Sequence, residues 1–572
     1  MIAADYLIVA GFFVVMLGIG VFFAGRMRNL TDFFGGGQQV PWWVSGVSLY
    51  MTSFSAFAIV SYSALAYTDG FVAVIIWWLV AVCCVISARF FAARWRRAAV
   101  TSPLEFVERR YGAALRQGFA WAGVPLLIID DALKLFVIGT MVNEILGIAP
   151  GDNLVVAIAA CGLIMLAYTL LGGLWAVMIT DFVQFVVMGV VVAVLAPLVL
   201  ASVGGLGALF EGLPPETWTP TSPKYPWYWV LSFFTVMTFS YTVKWPLVQR
   251  YYAVRTDSDA RRVGYLVAVL TLVTMPLILL PAFAARLLPE TIAPNSVYAT
   301  VCKQLLPAGM VGMVIAAMFS ATMSTLSSDY NAAAAVITKD IYARLFTRDG
   351  EPRAPVLAGR IATLIVGLIA LGIALLLARL PGEVELVKIM AELFSVLLPP
   401  VAVPMMFGLL TRRVSNAGGL GGFLAGACCG LAAYGASFVG EWAFLRGVPC
   451  MTWITVLPTL GVMGALSFLV PDPPRKQEDA ARFVQGLSGA VPPRERVPAG
   501  EASNAAPAAL EIIGWSGGAM GALLPLSILV TGTSPVPWLS VVVGAALMTA
   551  GGAAVVGSRL LRRRSAENAE RR

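Results

Sequence analysis

Seven oxygen-bearing side chains crowd the ten residues that begin at Ser320. The surrounding sequence is apolar and predicts a helix, in which Ala321, Ser324, Thr325 and Ser328 share one face. A stripe of hydroxyls in a lipid-buried helix suits a small hard cation, because such ions prefer oxygen ligands. The alternative is structural, since Ser and Thr also bond the carbonyl four residues earlier and let helices approach closely. The spacing alone leaves both interpretations open.

The composition is that of a polytopic membrane protein. Of the 572 residues, 59% are hydrophobic and 12% are charged, more apolar surface than a water-soluble chain of this length can bury. The excess of eight basic residues is interpreted as loop charge facing the cytoplasm and not as nucleic-acid binding. The absence of histidine excludes His-ligated zinc and His-based catalytic triads. No Walker loop indicates an ATPase, and the seven cysteines predict no disulfide framework.

Fifteen apolar segments between residues 5 and 556 predict an all-α protein with about fifteen transmembrane helices. Arg and Lys concentrate in alternate loops, so the positive-inside rule places the N-terminus outside and the basic C-terminal tail in the cytoplasm. The expected location is the cell (inner) membrane. The polar stretch Asp472–Ala508 is rich in Pro, Arg, Glu and Gly and predicts a cytoplasmic linker, not a folded domain.

The apolar segment 42–67 has the composition of a helix that can unwind. It contains Gly46 and several hydroxyls, among them Ser53 and Ser55. Hydroxyls and neighbouring helices can satisfy the backbone groups that unwinding frees, and transporters place ions and substrates at such interruptions. A face of small residues used for helix packing is the competing interpretation.

Ionisable residues lie within several predicted spans, where charge is costly and usually functional. Asp181 could bind a ligand or act as the partner of a helix N-terminus. Asp130 and Asp131 precede Lys134 by four and three residues, so a neutralising intrahelical pair competes with a role in holding solute. Lys244 lies in a further apolar segment.

Taken together, the motifs resemble those of the sodium:solute symporter family over roughly residues 5–470. The matching stretches are DFFGGGQQVPWW (Asp32–Trp43), SPLEFVERRYG (Ser102–Gly112), YTLLGGLWAVMITDFVQ (Tyr168–Gln184), the pair Gln249-Arg250, and MSTLSSDYNAAAAVITKDIY (Met323–Tyr342). The resemblance implies a LeuT-like fold with two inverted five-helix repeats, the first helix of each being broken.

The same resemblance implies a division of the chain. The expected parts are a leading helix (1–30), a first repeat (40–205), a second repeat (226–415), two accessory helices (416–470), the linker (471–508), and two C-terminal helices with a basic tail (509–572).

The resemblance also implies ligands for sodium, the expected cofactor. The family's shared sodium site falls on the carbonyls of Met51, Phe54 and Ala321 and the hydroxyls of Ser324 and Thr325. Thr325 stands where a serine is usual, which preserves the oxygen. Some members bind a second sodium, whose ligands fall on Asp181, Ser327 and Ser328.

The implied function is sodium-coupled import of a small organic solute, with no covalent chemistry, by a monomer in the lipid bilayer. The solute is left open among a sugar or polyol, an amino acid and an organic acid. Polar side chains of the galactose carriers are replaced here by aromatic ones, and an acid lies near the position where the sialic acid carriers have an arginine. The residues expected around the solute are Ser53, Ser55, Phe57, Trp77, Asp130, Asp131, Lys244 and Phe394.

The sequence leaves three alternative functions to consider. A proton-coupled or exchange carrier could use the same fold, and its uptake would not change when choline replaced external sodium. A transporter-like sensor would bind solute without flux, although the sequence contains no fused signalling module. A channel is disfavoured, because the motifs indicate an occluded midplane site and not a ring of pore-lining residues.

Overall fold

Helices form the architecture throughout the part of the chain that the structure, a computed structural model, describes: residues 3–24, 40–100, 102–146, 152–171, 174–288, 292–306, 310–343, 355–379, 386–489, 505–531 and 537–570. An isolated parallel bridge joins Val40 and Val254. The helices are α1 (Ala3–Ala24), α2 (Trp42–Thr52), α3 (Ala56–Asp69), α4 (Val72–Ile86), α5 (Ala92–Ala98), α6 (Pro103–Tyr111), α7 (Ala113–Leu146), α8 (Asp152–Leu171), α9 (Leu174–Ser202), α10 (Leu206–Gly212), α11 (Trp227–Val243), α12 (Trp245–Tyr252), α13 (Asp257–Ala285), α14 (Val297–Leu305), α15 (Met310–Val336), α16 (Pro355–Leu377), α17 (Leu386–Leu410), α18 (Asn416–Ala436), α19 (Val448–Leu469), α20 (Pro474–Ser488), α21 (Ala505–Thr531) and α22 (Pro537–Glu570).

Within these ranges, ten helices are long and apolar enough to cross a bilayer, or eleven when the bent pair α2 and α3 counts as one span. The chain is therefore a multi-pass membrane protein, as its composition predicts. The other predicted segments are also helical, but α7 carries charges and α11 has 17 residues. The count of fifteen spans stays a prediction.

Helix α15, which carries the hydroxyl stripe, lies at the centre of the bundle. A π-helical turn, Ile337–Tyr342, continues it. Over its apolar window 94% of the residues are buried, against at most 72% in the other spans. It packs against α1, α2, α7, α9 and α16. Residues on every face of α15 therefore contact protein instead of lipid, which is where polar side chains are tolerated in a membrane.

The predicted interruption of segment 42–67 is present. Helix α2 ends at Thr52, α3 begins at Ala56, and the two are bent by 58°. The backbone N–H of Ala56 donates to Thr322 Oγ1 of α15 at 3.1 Å. A hydroxyl of the facing helix thus satisfies the first free donor of α3, the kind of compensation an interrupted membrane helix requires.

A second interruption separates α11 from α12 at Lys244, whose ψ of 124° is not helical. Pro246 follows two residues later and has no N–H to donate to Thr242. The carbonyls of Tyr241 and Thr242 instead accept hydrogen bonds from Ser87 Oγ at 3.0 Å and Trp95 Nε1 at 2.9 Å. Side chains from α4–α5 therefore support the break.

Two peripheral features concern the predicted domain boundaries. Part of the predicted linker, residues 474–488, is helical as α20, and its Phe483 ring lies 5.8 Å from that of Phe106. Helices α21 and α22 pack closely enough that a Cβ on Gly514 would lie 2.5 Å from the carbonyl oxygen of Gly551. Helix α21 also contacts α1 and α9. Residues 490–504 of the predicted linker lie outside the described residues, and its last residues, 505–508, belong to α21.

Candidate functional site

Thr325 of α15 faces the interruption between α2 and α3. Its hydroxyl donates to Phe54 O at 2.8 Å, lies 3.5 Å from Met51 O, and is 3.1 Å from Ala321 O. Four of the five oxygens expected to hold the first sodium therefore lie together in the structure. They include both carbonyls of the broken helix. A hydroxyl has one proton, which Thr325 shares with Phe54 O; Met51 O also accepts the backbone N–H of Phe54 at 3.1 Å.

Ser324 supplies the fifth expected oxygen. Its Oγ is buried and makes no hydrogen bond of ordinary geometry among the described residues, although the carboxylate of Asp181 lies close enough to interact with it. A buried polar atom without a partner is costly and usually indicates a bound ion, water or ligand. The donor set consists of carbonyl and hydroxyl oxygens, which fits a hard monovalent cation.

Asp181 lies well inside α9 and is fully buried, so it does not act at a helix N-terminus. Its Oδ2 accepts a hydrogen bond from Ser48 Oγ at 2.5 Å and lies 3.5 Å from Arg250 Nη2. Arg250 also donates from Nη2 to Ser328 Oγ at 2.6 Å. The structure thus brings two of the three predicted second-sodium ligands, Asp181 and Ser328, around a guanidinium. Ser327 Oγ instead donates to Ser324 O at 3.2 Å.

One oxygen of that carboxylate remains available. Asp181 Oδ1 makes no hydrogen bond of ordinary geometry in the described ranges, although the residue is completely buried and its carboxylate interacts with Ser324. A cation at Oδ1 would not need to displace Arg250 from Oδ2.

A second polar group is charged and lies one helical turn further along α15. Lys134 Nζ contacts Asp130 Oδ2 at 2.9 Å, Asp131 Oδ1 at 3.1 Å and Asp329 Oδ2 at 2.5 Å. Lys244 Nζ contacts Asp130 Oδ2 at 2.8 Å and lies 3.7 Å from Asp329 Oδ2. The intrahelical pairing considered for Asp130 and Asp131 is present, but it belongs to a larger cluster that joins α7, α15 and the second break.

A cavity of about 90 Å³ lies between these two groups. The predicted solute residues line it with the exception of Asp131, which lies behind Lys134. The lining also contains Thr325, so the cavity adjoins the oxygens expected to hold sodium. The predicted residues around the cavity are Ser53, Ser55, Phe57, Trp77, Asp130, Lys244 and Phe394. Their role in binding stays a prediction.

Two buried charged side chains beside the expected ligands have no role assigned from the sequence. Arg250 belongs to the Gln249-Arg250 motif, from which no role follows. Its complete burial beside Asp181 depends on tertiary contacts that the sequence does not show. Asp329 was noted as the carboxylate of the hydroxyl stripe, but its partner Lys134 is 195 residues away. An ionisable residue inside an apolar helix was the available signal for both.

The fold and site define a class: a multi-pass helical membrane protein with interrupted spans around a central cavity, which is typical of secondary transporters. The sequence model of the sodium:solute symporter family matches residues 33–426, which is most of the chain. The chain belongs to the sodium:solute symporter family. It is accordingly a transporter and not an enzyme.

Individual relatives agree with this assignment. The chain is 25% identical over 432 residues to the sodium/sialic acid symporter of Proteus mirabilis, an alignment that covers 72% of this chain and 86% of the relative. It is 26% identical over 463 residues to the sodium/glucose cotransporter of Vibrio parahaemolyticus, covering 74% and 83%.

Solved structures support the fold. A substrate-bound, outward-open Na⁺-coupled sialic acid symporter superposes with a TM-score of 0.69 at 21% identity, covering 82% of this chain and 98% of that one. A nucleobase-cation-symport-1 family transporter in a closed conformation gives a TM-score of 0.52 at 15% identity, covering 79% and 98%. These neighbours confirm an all-helical, LeuT-like transporter fold.

Proposed function

We propose that this protein imports a small organic solute by alternating access, driven by sodium that binds between the broken helix α2–α3 and α15. The observation that carries this proposal is the meeting of Thr325 Oγ1 with the carbonyls of Met51, Phe54 and Ala321. Family membership and the sodium-coupled relatives support it.

The proposed ligands explain how sodium could bind from outside and dissociate into the cytoplasm. The five oxygens of Met51, Phe54, Ala321, Ser324 and Thr325 carry no full charge, so the ion would be held weakly enough to leave. While bound, it would join α2–α3 to α15. Its loss to a low-sodium cytoplasm would release that contact and shift the population toward an inward-open state. The membrane potential contributes about 2.3 kcal/mol per charge per 100 mV.

A second sodium is proposed beside the first, at Asp181, Ser327 and Ser328. The unpartnered Oδ1 of Asp181 supports this assignment, because it offers a buried anionic oxygen that Arg250 does not occupy. The Arg250 guanidinium beside the same carboxylate and Ser328 would oppose this ion, so its site would also be weak and exchangeable.

The proposed architecture extends the sequence prediction. Two inverted five-helix repeats would occupy residues 40–205 and 226–415, and the breaks at residues 53–55 and at Lys244 each fall in the first helix of a repeat. The N-terminus would lie outside and the C-terminus in the cytoplasm, because the loops assigned to the cytoplasm are the basic ones.

Sodium itself is the probe that tests the proposal. The thermal unfolding midpoint of the purified protein is measured while sodium chloride replaces choline chloride at constant ionic strength. A ligand that binds the folded state raises the midpoint with its concentration, so sodium is expected to give a saturable rise. An equal response to choline, or no response to either, would contradict sodium binding.

Ser324→Ala tests the ligand assignment within that assay. Loss of one of five oxygens is expected to raise the sodium concentration for half-saturation about tenfold, which corresponds to about 1.4 kcal/mol. Ser320→Ala is the matched control, because Ser320 lies on the same helix, is equally buried, and donates to Ala316 O within it. Equal sodium responses in the two variants would show that Ser324 is not a ligand.

A further inference from the structure

The charged groups on the cavity wall are, among the described residues, two ammoniums and one carboxylate. Lys134 and Lys244 line the cavity together with Asp130, whose Oδ2 lies 2.9 Å from Lys134 Nζ and 2.8 Å from Lys244 Nζ. The other carboxylates of the cluster, Asp131 and Asp329, do not belong to the lining and contact Lys134 at 3.1 and 2.5 Å. A solute in the cavity therefore meets more cationic donors than anionic acceptors.

Lys244 is the ammonium that can still donate a hydrogen bond. Each ammonium has three N–H groups, and Lys134 has a carboxylate oxygen within 3.1 Å for each of them. Lys244 donates to Asp130 Oδ2 at 2.8 Å, whereas Asp329 Oδ2 lies at 3.7 Å, beyond hydrogen-bonding distance. The Lys244 side chain is also the more exposed of the two, at 14% against 7%.

Trp77 provides a second donor without an acceptor. It lines the cavity and is 6% exposed, and its Nε1 is buried with no hydrogen-bond partner in the described part of the chain. The indole N–H can only donate, and a buried one usually finds a partner. The Trp77 ring lies 6.0 Å from that of Phe54, whose carbonyl is an expected sodium ligand. Both uncommitted donors therefore require a solute with hydrogen-bond acceptors.

The cavity is small and mostly apolar. Its volume is about 90 Å³, whereas an apolar protein cavity of about 150 Å³ holds benzene. In proportion, about four non-hydrogen atoms fit without rearrangement of the wall. Phe57, Val80, Met237 and Phe394 supply apolar surface, which suits a short alkyl chain. A monosaccharide exceeds this volume.

Sodium would add a positive charge beside the same cavity. Thr325, one of its expected ligands, belongs to the lining. An anion in the cavity is attracted by the sodium ion, whereas a cation is repelled by it. This attraction gives a physical reason for solute binding to depend on sodium.

We infer that the solute of this transporter is a small monocarboxylate, whose carboxylate accepts hydrogen bonds from Lys244 and Trp77 while its alkyl chain contacts the apolar wall. The inference rests on the proposed transport function and specifies its substrate class. Hydrogen bonds from an ammonium to a carboxylate are charge-assisted and about twice as strong as neutral ones. Binding leaves the contact between Lys244 and Asp130 in place, because that contact uses a different N–H.

The same wall disfavours other classes of solute. A cationic solute would meet two lysines and the sodium ion, and both lysines already contact the one carboxylate on the wall. A neutral amide or alcohol can accept hydrogen bonds from Lys244 and Trp77, but it lacks charge assistance. An amino acid would bring an ammonium as well, and repulsion from the two lysines would offset part of the gain.

Four probes with the same number of non-hydrogen atoms separate these classes. Propionate carries only a carboxylate, glycine a carboxylate and an ammonium, propionamide a neutral carbonyl, and n-butylammonium only a cation. The thermal unfolding midpoint of the full-length protein is titrated with each at fixed sodium concentration and constant ionic strength, and again with choline in place of sodium. Acetate, butyrate and the sugar-sized gluconate test the volume.

Propionate is expected to raise the midpoint saturably, more than the other three probes and more in sodium than in choline. A response to glycine, propionamide or n-butylammonium that equals or exceeds that of propionate would overturn the inference. The absence of a response to acetate, propionate and butyrate would also overturn it, as would a gluconate response larger than that of propionate. These results leave stabilisation by sodium alone, and hence the proposed function, intact. An equal propionate response in choline would support the solute class but count against sodium coupling.

Trp77→Phe tests the indole donor, because it removes the N–H and retains an aromatic ring. The propionate concentration for half-saturation is expected to rise about tenfold. Trp78→Phe is the matched control, since Trp78 Nε1 donates to Leu272 O at 3.2 Å and the residue does not line the cavity. Equal propionate responses in the two variants would refute the role of Trp77.

Lys244→Gln tests the ammonium. The propionate concentration for half-saturation is expected to rise by at least about tenfold, and a retained sodium response shows that the variant is folded. A folded Lys244→Gln that responds to propionate as the parent protein does would overturn the inference. If the variant loses its sodium response, the comparison of Trp77→Phe with Trp78→Phe decides.

Discussion

The two helix interruptions differ in how their freed backbone groups are satisfied, although both lie beside α15. At the break between α2 and α3, the partners are the hydroxyls of Thr325 and Thr322. At the break at Lys244, Ser87 and Trp95 donate to the carbonyls, and salt bridges join the lysine to Asp130 of α7 and Asp329 of α15. Thr325 and Asp329 are one turn apart on α15. This one helix therefore contributes a hydroxyl to the uncharged site at the first break and a carboxylate to the charged cluster at the second.

This difference assigns different mechanical roles to the two breaks. Neutral oxygens can release a monovalent ion at small cost, so the α2–α3 break suits a contact that forms and dissolves in each cycle. Buried ion pairs are expensive to separate, so the charged cluster suits a permanent connection between α7, α11–α12 and α15. The comparison predicts that substitutions at the charged cluster mainly reduce stability, whereas those at the neutral site mainly change sodium dependence.

The largest effect is expected from Lys134→Met. The lysine contacts three carboxylates at 2.5–3.1 Å, and its removal leaves Lys244 as the remaining ammonium among them. Removing one partner of a buried ion pair typically costs about 3–5 kcal/mol. The free energy of unfolding in detergent should fall by about that amount.

The double variant Lys134→Met with Asp329→Asn controls for lost packing. It removes one acid and one base together and so leaves the balance of the cluster unchanged, and it should therefore recover part of the stability. A single variant within about 1 kcal/mol of the parent protein, or a double variant no more stable than the single one, would mean that the cluster is not a strong connection.

The sequence predicted the neutral site better than the charged one, for a physical reason. The hydroxyl stripe on α15 and the Gly- and Ser-rich segment 42–67 are local patterns, and each constrains its own helix. The family motifs then supplied the pairing of Met51 and Phe54 with α15, and the structure places the hydroxyl of Thr325 beside those two carbonyls.

The charged cluster depends on contacts that local patterns do not encode. Lys134 and Asp329 are 195 residues apart, and Lys244 and Asp130 are 114 apart. The sequence indicated that these residues were too costly to face lipid, but not which of them would meet. Within the described residues, length and hydropathy identify ten spans, or eleven with the bent pair, and helices such as α7 fall outside this test because they carry charges.

The second prediction concerns Thr325→Val, which preserves the shape of the side chain and removes the hydroxyl. The carbonyl of Phe54 then loses its hydroxyl partner, and sodium loses a ligand. We expect half-saturation by sodium to rise about tenfold, whereas stability without sodium falls by about 1 kcal/mol. Sodium titration of the unfolding midpoint measures both quantities.

Thr325→Ser is the control for that substitution, because it retains the oxygen and removes a methyl group. Its sodium response should stay within about twofold of the parent protein. If Thr325→Val and Thr325→Ser behaved alike, the hydroxyl would have no part in binding the ion, and the contrast between the two breaks would lose its basis.

The smallest effect is expected from Ser327→Ala, and it decides between two occupants of the space beside Asp181. A second sodium would use Ser327, whereas Arg250 contacts Asp181 and Ser328 without it. With two sodium ions the Hill coefficient for sodium approaches about two, and Ser327→Ala should lower it toward about one while half-saturation changes by less than about twofold. Ser320→Ala should leave the coefficient unchanged. A coefficient of about one in the parent protein and in both variants would mean that the guanidinium already provides the positive charge that Asp181 requires, and that the neutral site binds the coupling ion alone.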